Sequence, residues 1–184
     1  FEVCGHKWAD ISEGSYGVSL MNDCKYGYSM KDRVMTQTLI KSGTEPNLTA
    51  DQEEHSFTYS LYPHAGTWRE AGTVQEALNL NVPAKAVFGA AEKDRMEFLS
   101  ADKRNVVLET VKKAEDGDGM IVRLYEVENA RTKVTLHCAE SILSAEETNL
   151  LEQPADGAID VKENEISLTI KPYEIRTIRI RTEK

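Results

Sequence analysis

The stretch "EISLTIKPYEIRTIRIR", residues 165–181, decides the fold class. Ile166, Leu168 and Ile170 alternate with Glu165, Ser167, Thr169 and Lys171. This period of two sends apolar side chains to one face of an antiparallel strand and polar ones to the other. Pro172 interrupts the run, since it has no N–H for a sheet ladder. The alternation then resumes with Ile178 and Ile180 facing one way and Arg179 and Arg181 the other. The same pattern spaces Met120, Val122 and Leu124 in "MIVRLYEV" and Val134, Leu136 and Cys138 in "KVTLHCA", and "NVVLETVKK" is a further strand. Turn-rich pieces, "EDGDG" at 115–119, "ENAR" at 128–131 and "QPADG" at 153–157, separate them. Short strands punctuated in this way predict a small antiparallel β-sandwich over residues 95–184.

The first half is also strand-rich: "FEVCGH", "YGVSLMN", "RVMTQTLIK" and "HSFTYSLYPH" carry β-branched and aromatic residues. One helical piece, "TWREAGTVQEALNLN", can place Val74, Ala77, Leu78 and Leu80 on a shared face before Pro83 stops it. "SGTEPNLTADQEE" is polar and holds a proline, so it reads as an exposed loop. Around "VPAKAVFGAAEKDR" the periodicity is lost, which marks a junction between a domain over residues 1–90 and the sandwich over 95–184.

With 184 residues the chain is long enough for a substantial core without covalent staples. Its formal charge of −9, with acids spread throughout, argues against a nucleic-acid partner, which needs a basic stripe. No apolar run approaches the ~18 residues of a membrane span. Cys4, Cys24 and Cys138 are odd in number and far apart, so they read as free thiols of a reducing compartment, and a cytoplasmic location is expected. Cys4 and His6 would share one face of a strand, but two ligands without a third make no metal site. The chain begins with Phe1 rather than Met, and it reads as a piece of a longer polypeptide.

Among groups that could carry chemistry, Asp10, Glu13 and Asp23 are carboxylates of the type glycosidases use in pairs. Nothing in the spacing brings two of them together. A nucleophile elbow and a Gly-rich phosphate cradle are both missing from the sequence. The aromatics Trp8, Tyr16, Tyr26, Tyr28, Tyr59, Tyr62 and Trp68 all fall in the first 70 residues. Trp8, Tyr59 and Tyr62 sit on strand-like patterns and read as core. Tyr26 and Tyr28 belong to "NDCKYGY", residues 22–28, a connection with more chemistry than a turn requires.

Several long blocks in order, "HKWADxSExxYGVxLxNDCKYGY", "DxxExHxFTYxLYPHxGxW", "DGMIVRLYE", "AEETNLLE" and "IKPYEIRTIRI", closely resemble the C-terminal region of glycoside hydrolase family 38 α-mannosidases, in the cytosolic and bacterial branch. The resemblance covers essentially the whole chain. It implies an all-β architecture, in which residues 1–90 form the end of a large galactose-mutarotase-like supersandwich and the small C-terminal sandwich follows. It also implies a parent enzyme that removes terminal α-linked mannose with retention, with zinc and an aspartate nucleophile in a catalytic domain outside this chain. The fragment itself is then expected to hold no catalytic residue and no cofactor. Its partners would be that catalytic domain and a mannose-containing oligosaccharide, with self-association through an unpaired sheet edge as a further expectation.

Carried over by position, Asn22, Asp23, Lys25, Tyr26, Gly27 and Tyr28 match the family's turn that lies towards the catalytic domain. Asp23, Lys25, Tyr26 and Tyr28 are therefore the expected substrate-binding or domain-docking residues. In the lysosomal and Golgi branches an Asp-Arg pair stands where Asp23 and Cys24 stand here, so a basic group arrives differently, with Lys25 the candidate. Two other roles fit the same residues: a free-standing carbohydrate-binding module and a purely structural interdomain scaffold.

Overall fold

A computed structural model describes residues 1–90 and 92–183, which fall into two compact units, Phe1–Phe88 and Gly89–Lys184. The first unit contains β1 (Glu2–Cys4), β2 (Trp8–Ser12), β3 (Tyr16–Asn22), β4 (Gly27–Lys31), β5 (Val34–Thr38), β6 (Tyr59–Ala65) and the helix α1 (Thr73–Asn81). The second contains β7 (Leu99–Ala101), β8 (Val106–Lys113), β9 (Met120–Glu126), β10 (Thr132–Cys138), β11 (Ile142–Thr148), β12 (Asp160–Lys162), β13 (Glu165–Ile170) and β14 (Ile175–Thr182). All pairings between these strands are antiparallel, and the architecture is all-β with one short helix.

The second unit has two four-stranded sheets, ordered β12-β13-β10-β7 and β11-β14-β9-β8. Their inner faces carry the predicted alternation: Ile166, Leu168 and Ile170 from β13, Val134 and Leu136 from β10, Val122 and Leu124 from β9, and Ile178 and Ile180 from β14 form one buried cluster. Strands β7, β11 and β12 carry no clean alternation and went unforeseen. β7 and β12 hold three residues each. β11 adds Ile142 and Ala145 to the edge of the core, with a register shift between Ile142 and Ser144, and on its outer face sets Glu146 opposite Arg179.

The outer face of β14 explains that acidity. Arg179 is only 7% exposed although it points away from the apolar core. Its guanidinium donates to Asp116 at 2.6 Å and to the Glu152 carbonyl at 3.3 Å, while Arg181 pairs with Asp118 at 2.8 Å and Glu146 at 3.0 Å. The turn at 115–119 therefore folds back over β14. Gly119 makes this possible: its φ is +85°, and a Cβ there would stand 2.5 Å from the Ile180 carbonyl oxygen.

At the end of β9, Glu126 is 1% exposed. Burial opposes its ionisation, but the backbone N–H groups of Tyr173 and Glu128 and the Asn105 amide donate to it, and the net effect lowers its pKa below the usual 4.5.

In the first unit the strands make two three-stranded sheets, β1-β4-β5 and β2-β3-β6. The helix is shorter than the predicted span, because 67–72 turns before Gly72 enters the left-handed region at φ +68°. Ala77 is buried, while Val74, Leu78 and Leu80 are half-buried. α1 packs on β2 and β3 through small residues, with Ser19, Thr73 and Ala77 each 0% exposed. Tyr59 corrects the expectation of a core role: β6 turns Ser60, Tyr62 and His64 inward and leaves Tyr59 58% exposed. Trp8 is half-buried against Trp68, with ring centroids 5.0 Å apart.

Two outcomes test the second unit. Leu124→Ala should lower its unfolding free energy by about 2–5 kcal/mol in a denaturant titration, whereas Val111→Ala, at a half-exposed site, should change it by less than about 1 kcal/mol. Because the folded pKa of Glu126 is depressed, its stabilisation is present above about pH 4.5 and is lost as the pH falls through the folded value. Glu126→Gln should therefore flatten the acid limb of the stability profile.

Candidate functional site: the loop between β3 and β4

The connection is shorter than its sequence suggests, since β3 runs through Asn22 and β4 begins at Gly27. Asn22, 1% exposed, organises it. Its Oδ1 accepts the backbone N–H groups of Cys24 at 3.1 Å and Lys25 at 2.6 Å, a side chain imitating a turn of backbone. Its Nδ2 donates to the Tyr28 hydroxyl, which also accepts from Gln37 Nε2 at 3.2 Å. Asn81, the last residue of α1, donates to the Asn22 carbonyl at 3.0 Å.

Asp23 is exposed and pairs reciprocally with the segment before β6: its N–H donates to the Thr58 carbonyl at 3.2 Å, and the Thr58 N–H donates to its Oδ1 at 3.0 Å. The Thr58 N–H, seconded by Cys24, holds the Asp23 carboxyl below its usual range, and the same Asp23 carboxylate raises the Cys24 thiol. The Lys25 ammonium lies 4.6 Å from the centre of the Phe57 ring, which stacks with Tyr59 at 6.4 Å. Tyr26 is 52% exposed and leans on His6, centroids 5.0 Å apart.

The loop therefore brings Asp23, Lys25 and Tyr26 to one surface, and Tyr28 departs from that set. Its side chain sits inside the unit at 1% exposure, and burial raises its pKa against the opposing Asn22 hydrogen bond. Period two explains the split: in β4 the residue beside Gly27 turns inward. Phe57, Thr58 and His6 complete the surface. Phe57 and Thr58 precede β6 and His6 lies between β1 and β2, and no spacing in the sequence joins them to the loop.

The other carboxylates have their own partners. Asp10 accepts from Ser19 Oγ and pairs with His64 Nε2, each at 2.8 Å, with both side chains buried. Because a carboxylate only accepts, the Ser19 proton is committed to Asp10, and the Thr73 hydroxyl then donates to Ser19 at 2.8 Å. The serine does not meet the histidine, so this cluster has no nucleophile–base pair. Glu13 is exposed and accepts from Ser15 at 3.3 Å. Cys4 and His6 lie 3.7 Å apart, and among the described residues no group of three or more His, Cys, Asp or Glu could hold a metal ion.

Two antiparallel β units, one a sandwich and the other bearing the polar loop, define a β-domain pair. Residues 1–49 match the glycosyl hydrolases family 38 C-terminal domain, and residues 105–178 match the family's C-terminal beta sandwich domain. The chain belongs to the C-terminal domains of glycosyl hydrolase family 38. It is 39% identical to alpha-mannosidase G of Dictyostelium discoideum over 97% of its length, and 36% identical to alpha-mannosidase 2C1 of Mus musculus over 97%. It spans 17% and 18% of those relatives. A family 38 protein from Enterococcus faecalis shares the fold, with a TM-score of 0.76 at 21% identity over 98% of this chain and 23% of its own.

Asn22→Ala would leave two loop N–H groups without their acceptor and take from the Tyr28 hydroxyl one of its two donors. The expected cost is about 2–4 kcal/mol by chemical denaturation, with faster hydrogen exchange at Cys24 and Lys25.

Proposed function

We propose that this chain is the non-catalytic C-terminal β-portion of a retaining α-mannosidase, and that its β3–β4 loop docks against the catalytic portion of the same polypeptide. The observation that carries the reading is the loop itself. It is held rigid by Asn22 and Thr58 while Asp23 and Tyr26 stay exposed and Lys25 is half-covered by Phe57. An anchored carboxylate, ammonium and phenol suit charge-assisted hydrogen bonds to a facing protein surface.

The substrate proposed for the whole enzyme is terminal α-linked mannose, hydrolysed through a pair of carboxylates with a covalent intermediate. Zinc belongs to the catalytic portion, where it would hold the sugar hydroxyls. Among the described residues no His, Cys, Asp and Glu side chains group to bind it. A cytoplasmic setting is proposed on the strength of three free cysteines, two of them exposed. No helix among the described residues is long and apolar enough to cross a membrane.

In the full-length enzyme, Lys25→Met and Asp23→Asn should each lower kcat/KM on an aryl α-mannoside by about tenfold and also lower the melting temperature. A raised KM at unchanged stability would point to direct sugar contact instead. Lowered stability with full turnover would make the loop a scaffold only. If the isolated chain bound mannobiose tightly with Tyr26 protected, it would be a carbohydrate-binding module.

A further inference from the structure

The small sandwich carries a polar recess that the loop chemistry does not involve. β12 pairs with β13 only as far as Asp160↔Ser167. Beyond that register a cavity of about 440 Å³ opens between the rest of β13, the 156–158 segment and the ends of β11 and β14. This is within the size range of small-molecule sites, roughly 300–1,000 Å³. Leu168 and Arg176, 4% and 8% exposed, are its buried lining.

Arg176 donates to the Thr169 carbonyl at 2.9 Å and pairs with Glu147, yet its Nε is buried and has no partner. A buried donor left open is costly, and a ligand acceptor would relieve it. Gly157 keeps the recess clear: a Cβ there would stand 1.2 Å from the Glu147 carboxylate that holds Arg176. At the rim the side chains of Lys133, Asp156 and Asp160 make no hydrogen bond or ion pair among the described residues.

We propose that this recess binds a neutral hexopyranose, such as the terminal residue of an oligosaccharide. Four carboxylates against three cations disfavour phosphate or carboxylate ligands. The mixture of free acceptors and donors matches a ring of hydroxyls, where one carboxylate can accept from two adjacent groups. The site is independent of the β3–β4 loop, and its test does not use activity.

Titration of the 184-residue chain with methyl α-D-mannopyranoside, followed by amide NMR, reads it directly. The expected result is saturable shifts at Gly157, Ala158, Asp160 and Thr169 in the millimolar range. Asp160→Asn and Lys133→Met, both at exposed rim positions, should each weaken binding by about tenfold while the amide shifts of the sandwich core stay in place. Absent or non-saturating shifts would overturn the proposal. So would equal binding by both variants, or the same shifts produced by inorganic phosphate, which would make Arg176 an anion site.

Discussion

Strand β14 is buried on both faces, and the second unit depends on how that is managed. Inward, Ile178 and Ile180 enter the apolar cluster, where each contributes on the order of 1.5–3 kcal/mol by leaving water. Outward, Arg179 is under 10% exposed, and Arg176, in phase with Ile178 and Ile180, is as deeply buried at the start of the inner face; both must have partners, since an isolated buried charge is far more costly than a paired one. Glu147 supplies the partner of Arg176 within the inner phase, while Asp116 from the β8–β9 turn and Glu146 from β11 supply those of Arg179 on the outer face. The acidity of those segments is thus a structural requirement of the basic face they cover. It also draws the turn and the edge strand onto a single central strand.

This arrangement accounts for what the sequence reveals and what it hides. Wherever one face is apolar and the other polar, as in β9, β10 and β13, alternation identifies the strand and the residues that enter the core. β11 pairs along six registered positions, yet its two core contacts, Ile142 and Ala145, stand either side of a register shift and the rest of it is polar, so "ILSAEET" shows no hydrophobic period. β7 and β12 are too short to display one. An aromatic residue on a strand reads as core, but Tyr59 faces out because the phase of β6 is set by His64 reaching Asp10. Family resemblance located the β3–β4 loop, and the residues decide its meaning: Asn22 ends a strand, Tyr28 is inside, and the exposed remainder is Asp23 to Tyr26 with contributions from Phe57 and Thr58.

The first unit solves a different problem with few apolar residues. Its fully buried set includes Ser19, Asn22 and Thr73 beside Tyr28 and Ala77, so its interior is partly a hydrogen-bond network. Gly17 is needed for this, because a Cβ there would come within 2.4 Å of the His64 ring that pairs with Asp10. A buried hydrogen bond between polar side chains adds little net stability, because desolvation offsets the attraction. It is sensitive to geometry, however, and a buried hydrogen-bonded network admits few arrangements of its members.

The consequence reaches the loop through α1. Thr73 at the first residue of the helix bonds Ser19, and Asn81 at its last bonds the Asn22 carbonyl, so the helix is attached to β3 at both ends. A nine-residue helix is marginal on its own. Here its position is fixed by side-chain hydrogen bonds at its termini rather than by a broad apolar stripe. Those bonds hold Asn22 at the strand end, and Asn22 in turn sets the backbone of Cys24 and Lys25. The surface that the loop presents is therefore specified from the interior outward, from Asp10 and His64 through Ser19 and α1 to Asn22, and only its last members face solvent.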